Sequence, residues 1–180
     1  MTYCSFCKNL NAGDLHKHYH DERYGFPIHD DNELFGRLIL EINQAGLSWD
    51  TILKKENNFR KAFDNFQIDR ISNYGTNKFE ALLNDKGIVR NRLKIKAVIN
   101  NAVVVVKIQQ DFGSFRNWLD ENHPKTIEEW VKLFKKSFTF VGGEIVKEFL
   151  MSTGYLKGAH EESCEVYHQI LNVSPKWNVL

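Results

Sequence analysis

Apolar residues recur at three- and four-residue steps along most of the chain, which is the spacing of amphipathic helices. The clearest run begins at Asp31, where Leu34, Leu38 and Ile42 share one face, and it ends near Gly46. The same period predicts further helices over residues 51–63, 79–83, 92–110 and 144–152. No alternating run is long enough for a sheet, so the pattern predicts an all-α fold.

One more helix start is marked by a local signal. Thr126 and Glu129 have the spacing of a capping box ahead of the apolar residue Trp130. After this helix, Gly142 and Gly143 interrupt the pattern before the next one begins. A tight glycine turn between two helices is typical of a helix-hairpin-helix, which presents backbone N–H groups to a phosphate. An ordinary helix–helix turn also uses glycines for geometry alone.

The length and charge of the chain limit the classes of protein to consider. The 180 residues are 42 % hydrophobic and 26 % charged, which predicts one globular domain over residues 1–180. The net charge of +1 excludes a global positive field, so a polyanionic partner needs a local patch. Residues 86–96 supply such a patch, or else a solvated helix face, with the five cations Lys86, Arg90, Arg92, Lys94 and Lys96.

The N-terminal residues lack the profile of a signal peptide, and the longest apolar run, residues 102–106, is too short to span a bilayer. The three cysteines are an odd number, so reduced thiols or metal ligands are expected rather than disulfides. We therefore expect a cytoplasmic protein without a membrane partner.

All the cysteines fall into two groups that also contain histidines, one near each end of the chain. Zinc prefers four such ligands in a tetrahedron, and two half-sites from opposite termini would hold the chain ends together as a closed structural site. The alternative is that the histidines are surface residues and the cysteines small core residues. Two ligand sets have the correct number, namely Cys4, Cys7, His160 and Cys164, or Cys7, His20, His160 and Cys164.

Glu41 lies at the edge of the apolar face of the helix that begins at Asp31. A carboxylate at such a position must be paired, or it must face a pocket with a raised pKa. One interpretation is a hydrogen bond to the end of a neighbouring helix. The other is a carboxylate that binds a ligand, with Gln44 and Trp49 close by to suit a flat, nitrogen-rich molecule.

Together these residues resemble the DNA-3-methyladenine glycosylase I family, the zinc-clasped bacterial branch of the helix-hairpin-helix glycosylases. The resemblance covers nearly the whole chain, and its most specific part is the string Gln-Ala-Gly-Leu-Ser-Trp at residues 44–49. It also includes Tyr-His-Asp at 19–21, Leu-Glu at 40–41, Phe-x-Phe-Val-Gly at 138–142 and His-x3-Cys at 160–164. It implies a structural zinc site formed by Cys7, His20, His160 and Cys164, with Cys4 as an extra thiol.

The resemblance also implies roles for residues of a base pocket. Glu41 would read the flipped base, and Tyr19 and Trp49 would stack on it, with Gln44 nearby. His16 stands where the family usually has a pocket tyrosine, and Tyr24 where it usually has a tryptophan. The implied contacts to the DNA backbone are Lys86, Arg90, Arg92, Lys94, Gly142 and Gly143.

The function implied by the resemblance is base-excision repair of alkylated DNA by a monomeric enzyme. It would release 3-methyladenine, with 3-methylguanine as a further candidate lesion, and leave an abasic site without cutting the strand. A divergent paralogue that binds damaged DNA or a purine without efficient excision is an alternative, which a base-release measurement would identify. A small zinc-stabilised structural protein is a third reading, and it predicts no salt-dependent DNA binding.

Overall fold

The computed structural model describes residues 2–179, and its regular elements in this range are all helices, with no strand. Two short 3-10 turns cover Asp64–Phe66 and Lys176–Asn178. None of the helices in the described range is long and apolar enough to cross a membrane. The α-helices are α1 (Tyr3–Cys7), α2 (Leu15–Glu22), α3 (Asp31–Gln44), α4 (Trp49–Ala62), α5 (Ile68–Ser72), α6 (Thr76–Asn84), α7 (Arg92–Phe112), α8 (Phe115–Asn122), α9 (Ile127–Ser137), α10 (Gly143–Ser152) and α11 (Glu165–Asn172).

Helix α3 forms the centre of the fold. Its apolar residues Leu34, Leu38 and Ile42 are completely buried, and it packs against α4, α7, α8 and α10. Gly36 allows the ring of Phe66 to approach, since a Cβ atom at this position would lie 2.3 Å from a ring carbon. Residues 34–43 of this helix are therefore buried, and its C-terminal end, with Glu41 and Gln44, borders a cavity.

The structure confirms the all-α prediction and the helices that the apolar period indicated. Helix α4 begins two residues before the predicted start, because the Ser48 side chain caps it by accepting from the N–H of Thr51. The capping box is present, with reciprocal hydrogen bonds of 3.3 Å and 2.8 Å between Thr126 and Glu129. Helices α1, α2, α5, α8 and α11 were not predicted, since their five to eight residues are too few to establish a period.

The connection between α9 and α10 is tied to the body of the protein by one side chain. The amide of Asn101 on α7 donates to the carbonyl oxygen of Thr139 at 3.0 Å and accepts from the Thr139 N–H at 2.8 Å. Helix α10 then packs against α3. This arrangement brings residues 142–148 to the C-terminal end of α3, where the candidate site lies.

Candidate functional site

A cavity of about 640 Å³ lies at the C-terminal end of α3. Helix α3, the loop after it and the start of α4 form one side, while α1, α2 and α10 supply the rest. Five of the residues expected in the base pocket line it, namely Tyr19, Tyr24, Glu41, Gln44 and Trp49. Four other residues, which were not expected in the pocket, also line it: Tyr3, Glu144, Ile145 and Glu148.

Aromatic rings form much of the cavity wall. The ring centroids of Tyr19 and Trp49 are 5.0 Å apart, and those of Tyr19 and Tyr24 are 5.5 Å apart. Tyr3 adds a third phenol ring, 5.7 Å from Tyr24 and nearly perpendicular to it. Such flat, electron-rich surfaces suit a planar ligand, and they suit a cationic one best.

Glu41 is the most deeply buried acid of the cavity, with 4 % of its surface exposed. Within residues 2–179 no group donates a hydrogen bond to its carboxyl group, although the residue lines the cavity. The pKa of Glu41 is raised to about 8, mainly by burial; the positive charge of Arg37 opposes this shift, and the negative charge of Glu148 adds to it. A buried acceptor without a partner is costly, so this carboxyl group is arranged to bind a donor that enters the cavity.

Arg37 supports the wall of the cavity from behind. Its guanidinium group donates to the Tyr19 hydroxyl at 3.1 Å and to the backbone oxygen of Ser152 at 3.2 Å. It also lies 5.0 Å from the centre of the Tyr19 ring. These contacts fix the orientation of Tyr19 and link α3 to the end of α10.

A second carboxylate reaches the same cavity from α10. The Tyr24 hydroxyl donates to Glu148 Oε2 at 3.2 Å. Burial raises the pKa of Glu148, and nearby Glu144 adds to this effect, whereas the Tyr24 hydrogen bond and Lys147 oppose it. Glu41 on α3 and Glu148 on α10 therefore bring acids from two different helices into the cavity.

His16 does not line the cavity, in contrast to the expectation from the sequence. Its ring lies behind Tyr3, with Nδ1 3.1 Å from the Tyr3 hydroxyl and Nε2 3.6 Å from Asp50 Oδ1. The reason is that α1 folds over α2 and inserts Tyr3 between His16 and the cavity. His16 thus acts on the wall through Tyr3.

A buried group of two cysteines and two histidines joins the chain ends. The ligand atoms of Cys4, His20, His160 and Cys164 all lie within 4.8 Å of one another. His160 Nδ1 is 3.6 Å from Cys4 Sγ and 3.8 Å from Cys164 Sγ, and His20 Nε2 is 3.8 Å from Cys164 Sγ. These separations match the sulfur–nitrogen distance of about 3.6 Å expected around a tetrahedral zinc ion.

The outer nitrogens of both histidines are already engaged, which fits a metal site. His20 Nδ1 donates to Asp21 Oδ1 at 2.7 Å, and His160 Nε2 donates to the backbone oxygen of Tyr24 at 2.8 Å. Each ring therefore presents the lone pair of its other nitrogen to the cysteines. Burial lowers the pKa of His160 to about 4, so this ring is neutral, as a ligand must be.

Cys7 does not belong to this group, although both ligand sets proposed from the sequence contained it. Its side chain is completely buried, and its thiol lies 3.7 Å from the backbone oxygen of His16, to which it donates. Cys4 and Cys7 are less than one turn apart on α1, but only Cys4 faces the segment that carries His160. The sequence spacing of Cys7 and His20 did not reveal this orientation.

The cations of residues 86–96 do not form one surface. Lys86, Arg90 and Arg92 are exposed, and Arg92 lies 3.7 Å from Glu80. Lys94 has only 4 % of its surface exposed, and its ammonium group donates to the backbone oxygens of Asn43 and Ala45. Lys94 is therefore not available to a phosphate, because the helical period turns it toward the end of α3.

Gly142 and Gly143 are exposed at the start of α10, as a backbone contact to DNA requires. A Cβ atom at either position would meet no other atom within 4 Å, so the surface there is open. No side chain caps this helix start, which leaves its first N–H groups free within the described part of the chain.

One of the missed residues, Glu148, carried a usable signal in the sequence, and another, Tyr3, did not. Glu148 directly precedes the buried Phe149 on an apolar helix, and thus lies at the edge of the apolar face, as Glu41 does on α3. Tyr3 adjoins Cys4, so it could be placed only once the tertiary structure had shown which cysteine joins the Cys/His group. The edge position that indicated Glu41 on α3 also indicates Glu148 on α10, whereas the position of Tyr3 depends on the tertiary structure.

The chain is similar to known proteins over most of its length. The sequence profile of a family described as methyladenine glycosylase matches residues 9–132. DNA-3-methyladenine glycosylase 1 of Escherichia coli is 32 % identical, in an alignment that covers 89 % of this chain and 96 % of that protein. DNA-3-methyladenine glycosylase of Haemophilus influenzae is 29 % identical, covering 88 % of this chain and 95 % of that protein.

The fold is similar to a solved structure as well. That structure concerns the basis of 3-methyladenine recognition by 3-methyladenine DNA glycosylase I from Staphylococcus aureus. It superposes with a TM-score of 0.80 at 29 % identity, over 92 % of this chain and 97 % of that one.

Proposed function

This chain belongs to the methyladenine glycosylase family, and from this premise we propose that it is a base-excision repair enzyme that releases 3-methyladenine from alkylated DNA. We include 3-methylguanine as a further candidate lesion. The observation that carries the proposal is Glu41, a buried acid without a hydrogen-bond donor at an aromatic-walled cavity. It is the catalytic residue of the proposed reaction.

The chemistry of the lesion matches this cavity. Methylation at N3 gives the base a positive charge in DNA and weakens its glycosidic bond. The enzyme must extrude this base from the stack, after which Tyr19 and Trp49 are suited to hold its faces. Glu41 accepts a hydrogen bond from the exocyclic amine. The base then departs as a neutral molecule, so little general acid catalysis is needed, and water attacks the sugar carbon.

The product we propose is an abasic site in an uncut strand. Strand cleavage by a glycosylase of this kind would need an amine that forms a Schiff base with the sugar. Within residues 2–179 no lysine lines the cavity. The ammonium group of the buried Lys94 reaches this end of α3, but it donates hydrogen bonds to the carbonyl oxygens of Asn43 and Ala45.

We assign the helix-hairpin-helix element to α9, α10 and the turn between them. The exposed N–H groups at Gly142 and Gly143 are suited to bind one phosphate of the lesion-bearing strand. Lys86, Arg90 and Arg92 are the other contacts that we propose to the DNA backbone. Because the net charge is only +1, these three exposed cations supply the attraction that the whole protein lacks.

We propose that Cys4, His20, His160 and Cys164 hold a zinc ion. Four protein ligands leave no open position, so the ion would serve the structure by cross-linking the two chain ends. Asp21 and the backbone oxygen of Tyr24 orient the two imidazole rings for this role. Since Tyr24 also lines the cavity, the ion would indirectly fix one wall of the base pocket.

We treat residues 1–180 as one domain that acts as a monomer. The share of the relatives that this chain covers supports the single domain. The proposed substrate also supports the expected location in the cytoplasm, since the named relatives are bacterial proteins and a bacterial chromosome lies there.

The experiment that tests the proposal measures free methylated purines released from alkylated duplex DNA by the purified protein. Wild-type protein should release 3-methyladenine, and Glu41→Gln should reduce release by two orders of magnitude or more while leaving the fold intact. If folded wild-type protein releases no base, the activity we propose is wrong. Binding of damaged DNA without excision would then be the function to pursue.

A further inference from the structure

Glu148 is a half-buried acid of the cavity that has no partner of opposite charge. Its Oε2 atom accepts from the Tyr24 hydroxyl at 3.2 Å, and no described group donates to Oε1. No lysine or arginine lies within salt-bridge distance of it among residues 2–179. Its neighbour Lys147 is exposed.

The ring of Tyr24 explains why Glu148 stays in this position. Tyr24 packs between Tyr3 and Tyr19 in the cavity wall, and its backbone oxygen is held by His160. Its hydroxyl therefore has a defined location, and it donates a hydrogen bond to the carboxylate of Glu148. The acid is thus a built part of the cavity rather than a mobile surface group.

The ionisable side chains of residues 2–179 that line the cavity are all acidic, so none of them can carry a positive charge. Its ionisable residues within the described range are three glutamates and three tyrosines, and none is a lysine, arginine or histidine. The nearest cation that affects Glu41, the guanidinium group of Arg37, is bonded to Tyr19 and Ser152 behind the wall. A neutral ligand would bury the Glu148 carboxylate without compensating its charge, whereas a cationic ligand would compensate it.

We propose that Glu148 is a specificity-determining residue, a second carboxylate that makes the pocket favour positively charged bases over neutral bases of the same shape. This inference rests on the proposed function and adds a residue to it. Glu41 binds the donor edge of the base, and Glu148 supplies negative charge from α10. The charge of Glu148 already acts on Glu41, whose pKa it raises, so a cation placed in the cavity interacts with both acids.

The test compares the binding of two small ligands by calorimetry. The 3,9-dimethyladeninium ion carries a permanent positive charge and mimics the lesion with its sugar bond, and 9-methyladenine is its neutral counterpart. Wild-type protein should prefer the cation, and Glu148→Gln should reduce this preference about tenfold while the affinity for the neutral base changes little. If Glu148 had only a structural role, its replacement would instead weaken the binding of both ligands equally.

Three further variants sharpen the measurement. Glu121→Gln removes one exposed acid from α8 and should leave the preference unchanged, which controls for net charge. Glu148→Asp keeps the charge and should retain most of the preference. Tyr24→Phe keeps the aromatic wall but releases the carboxylate, so it should lower the preference partly. Each variant is checked for its melting temperature before binding is measured.

The result that overturns the inference is a preference that is the same in Glu148→Gln and in wild-type protein. An equal loss of affinity for both ligands in Glu148→Gln also overturns it, and so does a wild-type protein that does not prefer the cation. The base-release assay separates this outcome from failure of the proposed function. If wild-type protein releases 3-methyladenine from DNA but the preference does not depend on Glu148, only the role of Glu148 is rejected.

Discussion

Lys94 Nζ lies 2.6 Å from the backbone oxygen of Ala45, 49 residues earlier in the chain. It also lies 2.8 Å from the oxygen of Asn43. These oxygens belong to the end of α3, where the last carbonyl groups have no partner within the helix. The positive charge is well placed there, because the C-terminal end of a helix carries partial negative charge. Lys94 is therefore a positioning residue for the loop that joins α3 to α4.

Replacing Lys94 by methionine should lower both stability and base excision. The substitution keeps the length of the side chain but leaves two carbonyl oxygens without their donor, which costs about 1–3 kcal/mol. The loop after α3 should then become more mobile, and excision should fall about tenfold. Thermal unfolding and single-turnover excision measure the two effects.

Lys96→Met is the matched control, because Lys96 is exposed on the same helix two residues later. It should change neither the melting temperature nor the single-turnover rate appreciably. If Lys94→Met weakens DNA binding in a salt-dependent way without loss of stability, then Lys94 contacts phosphate and our assignment is incorrect.

Arg90→Ala should weaken DNA binding without affecting stability. Arg90 is exposed and, within the described residues, lies outside every ion pair, so its proposed partner is a phosphate. A lost phosphate contact lowers the slope of log affinity against log salt concentration by about 0.9 for duplex DNA. Fluorescence anisotropy with damaged duplex DNA at several salt concentrations gives this slope. An unchanged slope would remove Arg90 from the interface.

Glu41→Gln should change how stability depends on pH. Glu41 has a pKa of about 8 in the folded protein against an ordinary value of 4.5, so the folded state retains a proton that the unfolded chain releases. The stability contributed by this group is complete below pH 4.5 and is lost as the pH rises toward 8. Glutamine has no such loss. The variant should therefore be more stable than wild type at pH 9, by on the order of a few kcal/mol.

Denaturant unfolding at pH 5 and pH 9 tests this expectation. At pH 5 the two proteins should have similar free energies of unfolding, because Glu41 is protonated in the folded wild-type protein. A difference that is equal at both values would show that burial does not raise the pKa of Glu41. The contribution of Glu148 acts in the same direction and is present in both proteins.

The two N-terminal cysteines should respond differently to substitution by serine. Cys4→Ser should lose bound zinc and lower the melting temperature by about 10 °C, since a structural zinc ion contributes strongly to folding. Cys7→Ser should keep one zinc per chain, because Cys7 lies outside the group of four ligands. Elemental analysis and melting curves make the comparison. Loss of zinc in Cys7→Ser alone would restore the ligand set implied by the resemblance.

Local sequence was sufficient for the features that depend on near neighbours. The period of Leu34, Leu38 and Ile42 predicted α3, and the spacing of Thr126 and Glu129 predicted the start of α9. These features could be predicted because helix period and capping involve residues three or four positions apart. The same reasoning placed Glu41 at the edge of an apolar face, where it does line the cavity.

The resemblance to a glycosylase family was also carried by the sequence, through the string at residues 44–49, and the comparisons confirm the family. It led to Tyr19 and Tyr24, which line the cavity, and to His16, which does not; Gln44 and Trp49, indicated by their position near Glu41, line it as well. The proposed roles of these residues remain predictions.

Only the tertiary structure decided which side chains meet across long stretches of chain. It selected Cys4 over Cys7, placed Tyr3 between His16 and the cavity, and turned Lys94 away from solvent. It also brought Glu148 of α10 into the cavity with Glu41 of α3. The physical reason is that a helical period determines which residues share a face. The element that the face contacts is determined by the packing of the whole core.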